Sequence, residues 1–397
     1  MASMFSVPAA LAAALLLGGA AAAVELKGLT GRVNPDDGRP GAISNPFVVK
    51  DAKGGFGVFW SRDVDQSQPP PDQLFARFYS KDMKPGGRAK RFDQPIDGDT
   101  PFYTQLAGAV RLGGHTLAVW GAQFPSTTTN RPVDVVGRAF EKRRPFGAAK
   151  VVDFDDVNAI AREPVLLSDG RALVTWMRDF SQEKTAGRFI KADGSVSPTK
   201  IDLSRADAVF QTVVALSSGF LATYSEFSAD FTQQRLFAQL YDDKGGRVGK
   251  EFPLVPLLPR VEVDTSVVVG LASGEFVALR MRPTSFGVAE LLAQRFSRVG
   301  QGIGQPVTLA KDKTAQAVLA TALPGGGFLV AMREPETAGE RIAFTRYNGG
   351  LGQVGPSART DPISGLFLSS LTTLANGWAA TAYLANGGEA FVQTMEY

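Results

Sequence analysis

Two short phrases recur along this chain, always in the same order, seven times between Gly55 and Met395. The first is a glycine turn leading into an apolar run: Gly55–Trp60, Gly114–Trp120, Gly170–Trp176, Gly219–Tyr224, Gly274–Arg280, Gly327–Met332 and Gly377–Ala382. The second typically sets a small residue, a polar one, any residue and then a large apolar one: Ala76–Tyr79, Gly137–Phe140, Gly187–Ile190, Ala238–Tyr241, Ala293–Phe296, Phe344–Tyr347 and Val392–Met395. The interval between copies runs from 48 to 61 residues. A module repeated at that period constrains the fold more than any other feature here, because such units bury their apolar surface only by stacking on one another.

Each copy reads as four strands. One precedes the glycine turn, as in Thr212–Leu216, and the two phrases supply the second and third. A fourth follows another turn, such as Asp243–Gly246. Aromatic and β-branched runs between Gly-rich turns are strand signals. Apolar residues fall on both faces of the second and third strands, so each sheet has to be covered on both sides. Seven such sheets packed radially make an all-β, seven-bladed β-propeller. The alternative is an open β-solenoid, which usually has shorter repeats. The whole of residues 24–397 is expected to be this one domain. The chain ends at Tyr397, directly after the third strand of the seventh copy, while Val24–Val33 is strand-like and has no blade of its own. These ten or so residues are predicted to complete the last blade.

Met1–Ala23 has an apolar Ala/Leu core ending in small residues, the pattern of a signal peptide, although no Lys or Arg precedes the core. Export and cleavage near Val24 are expected, with the mature protein periplasmic or extracellular, no membrane span after cleavage, and a monomer. The chain has no cysteine, which rules out disulfides, thiolate metal sites and thiol nucleophiles. With 42 basic against 39 acidic residues, the net charge of +3 argues against a nucleic-acid partner.

The repeated phrase resembles that of secreted bacterial propeller-like proteins in which a Gly-Gly-Phe-Val-Val-x-Trp run is followed by Ala-Gln-Arg-Phe-Asp-x-x-Gly. The copies nearest to it are Leu323–Met332, Leu236–Gly245 and Leu291–Gly300. The resemblance spans nearly the whole mature chain and implies architecture rather than activity. In that group the loops often carry acidic, calcium-associated runs; here the second-to-third-strand connections lack an Asp-x-Asp-x-Asp-Gly pattern.

The position of a site follows from connection length. First-to-second and third-to-fourth strand turns share one rim of a propeller and are short here. Second-to-third connections (Ser61–Gln73, Gly121–Asp134, Met177–Thr185, Ser225–Arg235, Met281–Glu290 and Arg333–Arg341) and blade-to-blade links share the other rim and read as long. Loops on a rigid scaffold are the usual seat of recognition. Where the second strands reach that rim stand Arg62, Asp63, Arg178, Asp179, Glu226, Arg280, Arg282, Arg333 and Glu334. Two readings are open. Converging arginines suit a polar or anionic ligand; the same residues also suit a belt of solvated or mutually paired charges. Phe124, Phe180, Phe227, Phe231 and Phe286 lie in the same connections, as partner anchors or as loop packing. The polar residue of the second phrase (Arg77, Arg138, Arg188, Gln239, Gln294, Thr345 and Gln393) recurs so regularly that a structural role is expected, bonding carbonyls between blades.

Catalytic patterns are sparse. His115 is the sole histidine, which removes a His-dependent triad and a multi-His metal site. Gly325–Gly327 lacks the following Lys-Ser/Thr of a phosphate loop. No intact Asp-box of the sialidase type occurs. No catalytic residue, metal ligand or cofactor is assigned. The expected function is an exported binding protein or scaffold that uses its long-loop face to hold a protein or glycan. The alternative is a carboxylate-dependent, glycan-active enzyme, which would need two carboxylates about 5–10 Å apart at the floor of an axial pocket.

Overall fold

The computed structural model describes the chain from Val24 to Tyr397 apart from residues 27–30, 34–42, 52–53, 63–72, 81, 83, 94–102, 124–132, 142, 154–158, 179–183, 204, 206–208, 261–265, 286–287, 314–317, 375–376 and 386–387. The leader expected at 1–23, together with Asp63 and Asp179, lies outside the described residues. Among those described, the strands form seven antiparallel sheets arranged as a ring, a seven-bladed β-propeller. Blade four is representative: Val209–Ala215, Phe220–Phe227, Gln233–Tyr241 and Arg247–Pro259, each hydrogen-bonded to the next. The first strand of every blade faces the axis. In order these are Ile43–Lys50, Tyr103–Leu112, the split pair Ile160–Ala161 and Val165–Leu166, Val209–Ala215, Val267–Gly270, Val318–Ala322 and Phe367–Thr373.

Packing between blades holds the ring. Among the described residues the buried apolar side chains fall into seven clusters, each drawn from two neighbouring sheets. One joins blade seven to blade one through Val392, Ala390, Trp60 and Phe56. Trp60, Trp120 and Trp176, equivalent residues of the first phrase, are fully buried. Burying a large apolar side chain contributes roughly 1.5–3 kcal/mol. The phrases also meet across the sheet. Phe56–Tyr79, Phe220–Tyr241, Phe276–Phe296 and Phe328–Tyr347 are register partners whose rings stack with centroids 4.9–5.3 Å apart.

The glycine opening the first phrase has a steric cause. At Gly219 the backbone has φ +68°, and a Cβ there would lie 2.0 Å from the Tyr241 carbonyl oxygen; Gly327 repeats this against the Tyr347 carbonyl at 2.2 Å. In these copies the large apolar residue ending the second phrase thus presses its main chain onto the turn of the first.

The amino-terminal segment completes the last blade. Glu25–Leu26 and Gly31–Arg32 pair antiparallel with Glu389–Glu396 as its outermost strand. The recurring polar column divides into two groups. The arginines reach backwards to the preceding blade, as expected: Arg77 Nη1 donates to the Val33 carbonyl (3.4 Å), Arg138 Nη1 to Phe92 (3.0 Å) and Arg188 Nη1 to Val152 (3.3 Å). The amides stay within their own blade. Gln239 Nε2 donates to Val248 at 3.1 Å and Gln294 Nε2 to Ile303 at 3.2 Å, stitching third strand to fourth. An arginine is long enough to cross the gap between sheets, and a glutamine is not.

Three of the connections expected to be long loops are paired strands instead. In blades four, five and six the second and third strands continue past the ring, with register partners Phe227↔Gln234, Ser285↔Val288 and Glu336↔Gly339. The outer strands Arg247–Pro259 and Gly302–Lys313 extend with them. Among the described residues no helix is long and apolar enough to cross a membrane.

Candidate functional site

The extended strands explain most of the charged belt. Glu226 stands opposite Arg235 in the register, and the two form an ion pair. Arg205 reaches in from the link before blade four to bond Glu226 at 3.0 Å and Glu251 at 2.8 Å. Both guanidinium groups lie over the Phe237 ring, at 4.1 and 4.8 Å from its centroid. The Arg235 hydrogen bond, aided by Arg205, holds the Glu226 carboxyl below the usual carboxylate range against the opposing effect of burial. Arg282 pairs with its register partner Glu290. Arg333 bonds Glu340 at 2.9 Å and donates to the Leu366 carbonyl at 2.9 Å, while Glu334 pairs with Arg359 at 2.9 Å. Opposite charges facing each other across strands stabilise an antiparallel pair.

The remaining candidates take other positions. Arg62 is 4% exposed, with its guanidinium 5.6 Å from the Phe75 ring centroid. Arg280 lines a cleft of about 420 Å³ between blades four and five, with Phe252, Pro256 and Gln294. Arg178 ends its strand opposite Lys184. None of the described candidates lines the axial cavity. Successive side chains of a strand point to opposite faces of its sheet, here toward the neighbouring blades, and the first strand stands between the second and the axis.

A hairpin tip on the same rim presents an aromatic pair. Phe231, 65% exposed, has φ +57°, an unusual backbone for a non-glycine residue, and its ring lies 5.9 Å from that of Phe227. The turn beneath is tied by Asp230, which accepts from Ser228 Oγ, from the Thr232 amide and from Thr232 Oγ1. These bonds, the Ser228 hydroxyl foremost, hold the Asp230 carboxyl down at about 2.

The axis holds groups that the sequence did not single out. A cavity of about 750 Å³ is bounded by the first strands of all seven blades, on the half of the axis nearest the short turns, as Gly113 and Gly170 in its wall mark. Its described charged lining is Lys50, Arg111 and Glu163. Glu163 interrupts the first strand of blade three together with Pro164, which has no amide hydrogen to offer a sheet. Its stem lies against blade two where Gly108 leaves room: a Cβ at 108 would sit 3.2 Å from Glu163 Cγ. Open to the lumen but ringed by protein, the carboxyl is pushed up to about 7 by desolvation. The only signal in the sequence was the Glu163-Pro164 pair inside an otherwise regular copy.

No family model and no curated protein matches the chain. Solved structures match at low identity. The β-propeller domain of the Trilobed protease from Pyrococcus furiosus superposes with a TM-score of 0.50 at 9% identity, covering 89% of this chain and 95% of that one. A protein of unknown function from Dyadobacter fermentans gives 0.49 at 11%, over 94% and 98% of the two chains. An α-L-arabinanase from Penicillium chrysogenum gives 0.46 at 15%, again over 94% and 98%. The likeness concerns the fold alone: the chain is a β-propeller.

Proposed function

We propose that this protein is an exported, ligand-binding propeller of the secreted bacterial repeat type, and that its long-connection rim recognises a protein or glycan without chemistry on it. The observation that carries this reading is Phe231. An aromatic side chain held out at a hairpin tip, on a turn tied by three bonds to one carboxylate, is a preorganised anchor for a partner's apolar face or for the face of a sugar ring. Arg280, which lines the cleft between blades four and five, adds a guanidinium suited to polar groups of the ligand.

The glycan-active alternative needs a carboxyl that keeps its proton near neutrality beside a second, ionised one. On the rim, Glu226 is held ionised by Arg235 and Arg205, and Glu334 is paired with Arg359. In the axial cavity Glu163 is the one carboxylate among the described lining residues. Probing a glycan array and immobilised envelope polysaccharide with the purified protein tests the proposal. Saturable binding that Phe231→Ala weakens is expected. Turnover of a bound glycan that Glu226→Gln or Glu334→Gln abolishes would overturn it.

A further inference from the structure

We infer that the axial cavity is a second binding site, entered from the short-turn mouth, for a small polyhydroxylated monocarboxylate of the sugar-acid class. The site lies on the opposite side of the ring from the long-connection rim and stands independently of any recognition there.

The argument begins with charge. Lys50 and Arg111 occupy equivalent places on neighbouring first strands: each lies at the short-turn end, opposite Phe56 and Thr116 at the start of the second strand. Arg111 spends one bond on the carbonyl of its own turn, Gly113, at 3.3 Å. Among the described residues the side chains of Lys50 and Glu163 have neither a hydrogen-bond nor an ion-pair partner. Elsewhere in this protein Glu226, Arg282, Arg333 and Glu334 of the belt are ion-paired, whereas Lys50, Arg111 and Glu163 face a common lumen with no opposite charge bonded to any of them. Proximity adds to the cost. Desolvation, and then the Arg111 charge, lower the Lys50 ammonium below its ordinary range. With Glu163 ionised the lumen carries a net charge of about +1, which one monoanion balances.

The rest of the wall specifies the body of the ligand. Each first strand bonds its blade through one edge only, so the other edge presents main-chain N–H and C=O groups to the lumen from seven directions. Thr212, Thr321 and Thr372 add hydroxyls. Donors and acceptors distributed in this way suit a molecule that carries several hydroxyl groups, each of which both gives and accepts. At about 750 Å³ the cavity falls within the range of small-molecule sites. In this arrangement Lys50 and Arg111 meet the carboxylate, while Glu163, cradled on Gly108, accepts from hydroxyls deeper in the channel.

The test is calorimetric titration of the full chain with D-gluconate, using glucose, propionate and inorganic phosphate as controls. Gluconate is expected to bind saturably and at least about tenfold more tightly than glucose or propionate. The paired substitution Lys50→Gln/Arg111→Gln should weaken gluconate about tenfold or more, and Glu163→Gln several-fold, with the thermal transition retained. Should the paired variant fail to fold, Ala322→Glu places a repelling charge at the same level of the mouth, since Ala322 also faces the first residue of its second strand. It should weaken gluconate and leave glucose unchanged. The inference fails if gluconate shows no saturable binding at tens of millimolar, if phosphate binds more tightly than gluconate, or if neither set of substitutions alters gluconate affinity.

Discussion

Arg77 Nη1 lies 3.4 Å from the carbonyl oxygen of Val33, so a side chain of blade one holds the strand that finishes blade seven. The same guanidinium donates through Nε to Gly87 at 3.2 Å and covers the Tyr79 ring at 5.6 Å from its centroid, and the Tyr79 hydroxyl also approaches Val33, at 3.5 Å. Val33 in turn donates its amide to Ala390 at 2.8 Å. The ring is thus fastened at one residue from two blades. Arg77→Met keeps the stem and removes the donors. It should cost about 1–2 kcal/mol, and hydrogen exchange should speed up at Val33 and in Glu389–Glu396 while blade four is unaffected. Uniform loosening of all blades would refute the latch role.

Two glycines separate a steric demand from a torsional one. Gly219→Ala meets the Tyr241 carbonyl, whereas Gly170→Ala, at φ +84°, meets nothing within 4 Å. The second should cost about 1–2 kcal/mol for the left-handed backbone alone. The first should cost distinctly more, read as denaturation midpoints of the two variants. Equal losses would mean that the turn yields without strain.

The Glu226 cluster should make the fourth blade sensitive to acid. A carboxyl held below its unfolded value contributes stability above the unfolded range, and that contribution is lost as pH falls through its folded value. Part exposure keeps the effect at about 1 kcal/mol or less. Glu226→Gln should lower stability at pH 7 and reduce the loss seen on acidification below the ordinary carboxylate range. High salt should shrink the difference between variant and parent, as chemical denaturation at two ionic strengths would reveal.

Glu163 has the opposite sign. Its folded value of about 7 lies above the unfolded one, so the unfolded chain binds fewer protons in the interval between them and stability falls as pH rises through it. The charged lining residues that share its cavity are Lys50 and Arg111. Glu163→Gln should flatten the stability profile between about pH 4.5 and 7 and raise the melting temperature at pH 8, by no more than about 1–2 °C because the residue is exposed to the lumen and screened there. A profile unchanged by the substitution would show that water reaches the carboxyl freely.

Much of the architecture was written in local chemistry. At Gly55, Gly219 and Gly327 the glycine of the first phrase is required by the tyrosine carbonyl ending the second, and the stacked pairs Phe56–Tyr79 and Phe220–Tyr241 are neighbours across one hairpin. Contacts of short chain separation repeat with the module, so the module count, the blade boundaries and the closing role of Val24–Val33 follow from the repeat alone. What the charged rim residues touch is not local in the same way. Arg205 reaches Glu226 from the link before blade four, and Arg359 reaches Glu334 from the fourth strand of blade six, pairs 21 and 25 residues apart in sequence. A reading of strand ends as loops hides that pairing.

The order and number of blades, with a strand from the amino-terminal segment in the last, were determined by sequence, because apolar periodicity and turn glycines act within a single module. Which charges face the lumen together was decided only by the closed ring. Lys50, Arg111 and Glu163 come from three separate modules, and they share one cavity only once seven first strands surround the axis.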